Sequence, residues 1–337
     1  MRNIITPDNK IYPTPIFLPV FEYGNSFISI EQLKNEFSIT GLITNAYLLY
    51  KKRELKTIVL ENGIKKFLDF DGLVVTDSGA FQQFSGPLYL SNRKIIAFQQ
   101  DIGADIISPL DVITTPGDNK TVAKGKLATT LKRIKQGISI TDRSVLIGVQ
   151  QGGRFLNLRG ECLAELVEME VQYIALGSLV PFFTRNHHIE FILKVIKQAR
   201  EIVPTNIPLH LYGAGDPLEL PFYFALGCDI FDSSSFIHYA RDKWYMTPYG
   251  AIKDYAMLNI MQYVCSCAYC QNYGSEIFHQ SKALTAHNLW VILNTLENTK
   301  KMFADDTLLA YLEKVVTIHQ QCFPDSKLAH SWNSINE

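Results

Sequence analysis

Three thiols packed into six residues, Cys265, Cys267 and Cys270, form the densest cluster of metal-binding side chains in this 337-residue chain. A C-x-C-x-x-C run offers three thiolates within one turn-rich segment, and a fourth ligand would close a tetrahedral structural zinc site. His287, in the stretch Leu284-Thr285-Ala286-His287-Asn288-Leu289, is the expected fourth ligand and is expected to begin a helix. His279 lies nearer in sequence and competes with it. Four protein ligands leave no coordination position for substrate, so the Zn2+ expected here is structural. The remaining cysteines, Cys162, Cys228 and Cys322, stand alone and read as small buried apolar residues.

A second group is made of carboxylates. Asp77, Asp111 and Asp232 each follow a β-rich run. Taken singly, each reads as a helix cap or a turn residue. Gathered on one face they would mean chemistry: two carboxylates flanking a glycosidic carbon suit a retaining displacement, one as nucleophile and one for proton transfer. Gln150-Gln151-Gly152-Gly153 also follows a strand pattern. It is compatible with a plain turn, and equally a Gln amide there carries the donor and acceptor needed to read the edge of a planar heterocycle. Gly213-Ala214-Gly215 begins like a dinucleotide fingerprint, but Leu218 stands where its third glycine belongs.

The elements that would position these residues alternate along the chain. Strand patterns occur at 73–76, 105–108, 145–149, 173–176, 209–212 and 228–231, and helical patterns at 92–102, 122–136, 158–168, 188–201 and 217–226. Alternating β and α signals predict βα units and a parallel sheet. Polar or Gly-rich chemistry recurs after strand upon strand, as Asp77-Ser78-Gly79, Asp111, Gln150-Gln151, Gly177-Ser178, Tyr212-Gly213 and Asp232-Ser233. A doubly wound sheet concentrates such signals at one switch point, whereas a (β/α)8 barrel gathers them on one face. The fold expected is therefore a (β/α)8 barrel with a zinc-binding insertion near its carboxyl end.

Composition narrows the classes. The net charge of −1 gives the whole chain no electrostatic footprint for a polyanion. The basic stretches Lys51-Lys52-Arg53 and 124–135 read as solvated helix faces. The beginning of the chain lacks the apolar block of a secretory signal, and no stretch is long and apolar enough for a membrane span, which makes the cytoplasm the expected location.

Taken together, the segments TDSGAFQ (76–82), ADIISPLD (104–111), GVQQGG (148–153), ALGSLVP (175–181), HLYGAGDP (210–217), GCDIFDSSSFIHYA (227–240), YMTPYG (245–250), the CSCAYC cluster and AHNL resemble the tRNA-guanine transglycosylase family. They are most similar to its archaeal, archaeosine-type branch. The resemblance implies one catalytic domain over 1–337, with a zinc-binding subdomain at about 255–295. It implies exchange of a guanine in tRNA for free 7-deazaguanine, with 7-cyano-7-deazaguanine expected, by double displacement. Asp232 corresponds to the nucleophile and Asp77 to the acid/base residue. Phe81 corresponds to the residue that stacks on the base. Asp111, Gln151 and the Gly177-Ser178 backbone correspond to groups that read its edge, with Ser78 and Tyr212 in the same pocket. The target nucleotide would have to be extruded from its stack to enter.

Three departures shape the remaining expectations. Little chain follows His287, so no carboxyl-terminal RNA-binding module is expected; a separate RNA-binding subunit, or DNA in place of tRNA, would accommodate that. Asp216 and Trp244 stand where the archaeal branch carries His and a basic residue. The interval from Cys270 to His287 is short for the family, which keeps His279 in play. A homodimer through the zinc region is expected, and the rival readings are a non-catalytic partner subunit and a glycosidase or phosphate-binding barrel enzyme of unrelated function.

Overall fold

The computed structural model describes residues 2–24, 26–85, 90–184 and 187–336. It opens with an antiparallel ribbon of β1 (Asn3–Ile5) and β2 (Ile11–Pro13). The strands that follow are parallel: β3 (Ile16–Pro19), β4 (Gly41–Asn45), β5 (Leu73–Asp77), β6 (Ile106–Ile107), β7 (Val145–Leu146), β8 (Gly148–Gln150), β9 (Ile174–Leu176), β10 (Leu209–Leu211) and β11 (Ile230–Ser233). Among the described residues they form two sheets, ordered β4-β5-β6-β7 and β8-β9-β10-β11-β3. A parallel bridge between Val20 and Ile43 links β3 to β4. On the other side only Ile147 separates β7 from β8; its N–H donates to Ile107 of β6, while Gly148 N–H donates to Tyr173 ahead of β9.

Why these segments form strands is plain in their burial. Their residues are β-branched or bulky and apolar, and both faces are covered, as expected of parallel sheets. Alternate residues divide between two cores. Ile16, Leu18, Ile43, Leu73, Val75, Ile106, Ile147, Val149, Tyr173, Ala175 and Ile230, drawn from both sheets, pack into one shared cluster. Phe17, Leu42, Val74, Ile174, Leu176, Leu209, Leu211 and Phe231 point the other way, into a larger cluster shared with the helices. On β10 the position between the outward Leu209 and Leu211 is taken by His210, fully buried beside Tyr173.

Helices return the chain between strands. Those at Asn92–Asp101, Lys120–Ile138, Leu156–Glu168, Ile189–Ile202 and Leu220–Ala225 match the patterned stretches. The helix Ile189–Ile202 places Ile189, Ile192, Leu193, Val195, Ile196 and Ala199 on its buried stripe, at the spacing of a helix with one covered face. One expectation needs correcting. The helix carrying His287 begins at Ser281, so His287 sits a turn and a half inside Ser281–Ala304 rather than at its start. Residues 284–289 are all buried, and burial all round erases the boundary signal that an amphipathic stripe would give. Cys322 is half-buried rather than sealed in a core as Cys162 and Cys228 are.

Candidate active site and metal centre

Asp232 is the penultimate residue of β11, with its side chain nearly buried. Its Oδ1 accepts the Gly213 N–H at 3.1 Å and lies 2.9 Å from His210 Nε2. Gly213 has φ of 80°, and a Cβ there would come within 2.6 Å of Val180 Cγ2, so the turn that aims this N–H requires glycine. Behind His210, its Nδ1 lies 2.9 Å from the hydroxyl of Tyr173.

Asp77 closes β5, in register with Asn45 at the end of β4. Asn45 serves twice: its Oδ1 accepts the Leu48 N–H and caps the helix Ala46–Lys51, and its Nδ2 donates to Asp77 Oδ2 at 3.3 Å. Burial pushes the Asp77 carboxyl up to about 6, and the negative charge of Asp232 adds to the rise. Asp111 is pushed up to about 7 by burial, with the charge of Asp77 adding. Gln151 Nε2 donates to Asp111 Oδ2 at 2.6 Å, while Gln151 Oε1 accepts from Thr114 N, Thr114 Oγ1 and Ser178 Oγ at 3.3, 3.2 and 2.5 Å. Through these bonds Gln151 orients Asp111 and the Ser178 loop. A Cβ on Gly177 would meet Gln150 O at 2.7 Å and Gln151 Nε2 at 3.1 Å, so the backbone approaches the Gln pair as closely as glycine allows. Tyr212 Oη is 3.0 Å from Ser108 Oγ, which joins the carboxyl ends of the two sheets. Burial lifts the Tyr212 phenol well above its usual range, and the charges of Asp77, Asp232 and Asp111 all add. Ser78 Oγ is buried with no hydrogen-bond partner among the described residues. Phe81, 48% exposed, lies in the turn Ala80–Ser85 that follows Asp77-Ser78-Gly79.

Under the loops lies a cation that pairs with no carboxylate among the described residues. Arg159, on the helix Leu156–Glu168, is completely buried; Nε donates to Gly153 O at 2.7 Å, and Nη1 donates to Gln150 Oε1 at 2.8 Å and to Gly177 O at 3.1 Å. Burial lowers its guanidinium to about 10, which still leaves it charged. One side chain thus ties the loop after β8 to the loop after β9.

The cysteine cluster lies elsewhere. Ligand atoms of Cys265, Cys267, Cys270 and His287 all fall within 4.8 Å of one another. His287 Nδ1 is 3.6, 3.5 and 3.2 Å from the three sulfurs, against about 3.5 Å between S and N ligands on a tetrahedral zinc ion. Its Nε2 lies 3.0 Å from Met246 O, an N–H donation that leaves Nδ1 as the ligand lone pair. Tyr245 stacks on the same ring at 3.7 Å, with its hydroxyl 3.1 Å from Cys270 Sγ. The residues therefore fit a tetrahedral metal ion, and His287 rather than His279 completes the set; His279 is exposed at the end of the turn Gly274–His279.

With this geometry in hand, comparison with known proteins is decisive. A family model described as queuine tRNA-ribosyltransferase (TGT) matches residues 2–321. The chain belongs to the TGT family. Relatives named tRNA-guanine(15) transglycosylase include that of Methanosarcina mazei, 33% identical over 315 residues that cover 92% of this chain and 63% of the relative. That of Methanopyrus kandleri is 31% identical over 317 residues, covering 92% and 68%. That of Thermococcus kodakarensis is 32% identical over 326 residues, covering 95% and 55%. The chain thus spans roughly half to two thirds of the length of these TGT relatives.

Several residues built into this TGT site escape a reading of sequence alone. Asn45, Thr114 and Arg159 each act through a neighbour, and their types are common in turns and helices. His210 lies in a fully buried strand and Tyr173 immediately before one, where the absence of a polar/apolar alternation hides which face each residue takes.

Proposed function

We propose that this chain exchanges guanine 15 of tRNA for a 7-deazaguanine, with 7-cyano-7-deazaguanine as the entering base, through a covalent intermediate on Asp232. The observation that carries the reading is the pairing of two carboxylates in unlike surroundings. Asp232 has both its hydrogen-bond donors on Oδ1, while Asp77 is lifted toward neutrality by burial and by Asp232 itself. A carboxyl raised by burial suits the acid/base role, and a carboxylate with one oxygen clear of donors suits the nucleophile. In the first displacement Asp232 Oδ2 bonds to the ribose C1′ as the C1′–N9 bond breaks. The electron pair leaves on guanine N9, which takes the Asp77 proton. In the second, N9 of the entering base attacks C1′ and gives its proton to Asp77, and the bonding pair returns to Asp232. Asp111 as carboxylate accepts the N1–H and N2–H edge of the base, Gly177 and Ser178 face its carbonyl oxygen, and Ser78 supplies an unspent hydroxyl. Phe81 and Tyr212 flank the ring; a stacked base is worth about 1–3 kcal/mol.

The same reading makes the fold a (β/α)8 barrel. With β7 and β8 taken as one strand interrupted at Ile147, the parallel strands number eight, and the Val20–Ile43 bridge supports closure. The apolar cluster of Ile16, Leu18, Ile43, Val75, Ile106, Val149 and Ile230, on the face of the strands turned away from the helices, is then the barrel interior. The chain is then one catalytic domain with a metal-binding subdomain at about 255–295. Cys265, Cys267, Cys270 and His287 would hold Zn2+, which with four ligands supplies folding energy rather than an open position for reaction.

The test is incorporation of labelled guanine into bulk tRNA and into duplex DNA by purified protein, with Asp232→Ala as control. Incorporation into tRNA that the substitution abolishes is expected. Incorporation into DNA alone would move the same chemistry to another polymer, and incorporation into neither would overturn the reading.

A further inference from the structure

The polar residues behind Asp232 stand in the strand layer, not on loops. Tyr173 immediately precedes β9 and His210 lies in β10, opposite Ala175 in register; both side chains are buried. Their only polar contacts among the described residues are with each other and with Asp232. We infer that Tyr173 and His210 form a positioning relay, in which the Tyr173 hydroxyl donates to Nδ1, fixes a neutral imidazole with its proton on Nε2, and that N–H grips Oδ1 of Asp232 so that Oδ2 faces the sugar. The inference rests on Asp232 being the nucleophile.

Three arrangements of protons are conceivable, and the contacts choose among them. With the imidazole proton on Nδ1, the Nε2 lone pair would face a carboxylate oxygen at 2.9 Å, two acceptors in contact, and the Tyr173 O–H would have no acceptor. With both nitrogens protonated, the Tyr173 O–H would again be orphaned, and a cation would draw charge out of the attacking carboxylate. Only the Nε2–H imidazole satisfies every group, and buried polar groups are satisfied as a rule. The phenol keeps its proton to donate, because burial holds Tyr173 well above its usual range. Oδ2 accepts no hydrogen bond from the described residues, whereas Oδ1 takes two. The relay therefore selects which oxygen attacks, and it does so from rigid strands, where a displacement of about 1 Å costs on the order of 10²-fold in rate.

Two measurements test it. In protein labelled with 15N-histidine, the His210 signal, assigned by its loss in His210→Gln, should show an unprotonated Nδ1 and a protonated Nε2, and Tyr173→Phe should move the Nδ1 resonance, as that nitrogen loses its donor, while Nε2 stays protonated. In guanine exchange, His210→Phe should lower kcat about 10²-fold with the KM for guanine unchanged. His210→Gln, whose amide N–H reaches the place of Nε2, should recover most of the loss. An Nδ1-protonated or doubly protonated ring would overturn the inference. So would a His210→Phe variant with wild-type kcat, or Phe and Gln variants equally impaired, which would reduce His210 to packing. Should His210→Phe not fold, the Gln variant and Tyr173→Phe carry the same distinction. The tautomer measurement needs no substrate, so it separates failure of the relay from failure of the assigned reaction.

Discussion

Burial holds the Asp111 carboxyl at about 7, against 3.8 for an ordinary aspartate. Well below pH 3.8 the group is protonated in folded and unfolded chain alike. As pH rises through the interval up to about 7, the unfolded chain releases its proton first and the folded state loses stability. Asp111→Asn removes this cost while preserving shape, so it should stabilise the free protein on the order of 2–4 kcal/mol at pH 8 and far less near pH 4.5. Thermal midpoints at the two pH values check this, and a pH-independent difference would refute it. The same substitution should abolish guanine exchange, because an amide nitrogen in place of a carboxylate oxygen repels an N–H edge. Asp111 and Asp77 were legible in the sequence because each stands where an apolar run ends. His210 was not: flanked by Leu209 and Leu211, it looks like an interruption of a hydrophobic strand until the sheet places it against Tyr173 and Asp232.

Elements show the same division between what sequence reveals and what only packing reveals. The strands from β5 onward were legible because each is a short apolar run bounded by turn residues. β3 and β4 were not. Pro13, Pro15 and Pro19 make the first look like a loop, yet Pro19 falls at the strand's end, in register with Ser233. β4 begins at Gly41, where a Cβ would come within 2.8 Å of Leu18 and 3.1 Å of Leu73, so strand packing demands a residue that reads as a breaker. The helix Leu156–Glu168 shows how an element can act on a site from below. Arg159→Met keeps the volume but strands the carbonyls of Gly153 and Gly177, each worth about 1–3 kcal/mol when left unpaired. It should raise the KM for guanine about tenfold or more, measured in the exchange assay, while the rate of the chemical step in single turnover changes little. If Cys265, Cys267, Cys270 and His287 hold Zn2+ as proposed, prolonged chelation should release it, expose three thiols to a colorimetric reagent and lower the thermal midpoint, with metal content read by atomic absorption.

Across the whole molecule, the two edges of the strand layer do different work. The carboxyl ends carry Asp77, Gln151, Gly177, Tyr212 and Asp232. The amino ends carry ion pairs that hold strands in register. Asp229, just before β11, pairs with Arg2 at 2.9 Å and accepts the Leu209 N–H at 3.0 Å; Asp105, just before β6, pairs with Lys65 at 2.7 Å and accepts the Val74 N–H at 2.8 Å. Asp229→Ala leaves Arg2 and that N–H without their partner and should cost about 3–5 kcal/mol in denaturant unfolding. Exchange rates well below the melting point should be unaltered, and a large fall in kcat there would show the two edges to be coupled.

On the assignment proposed above, His210 and Asp232 act from strands and Tyr173 from just before β9, while base recognition falls on 111–115, 151–153 and 177–178, which has a consequence for how such a protein diversifies. Bond-making and base choice would then sit on parts of the chain that tolerate change to very different degrees. Loops accept substitution and insertion, whereas buried strands do not. A lineage, or a directed library, can therefore retarget the heterocycle by drift in three short connections while the apparatus that breaks the glycosidic bond is inherited intact.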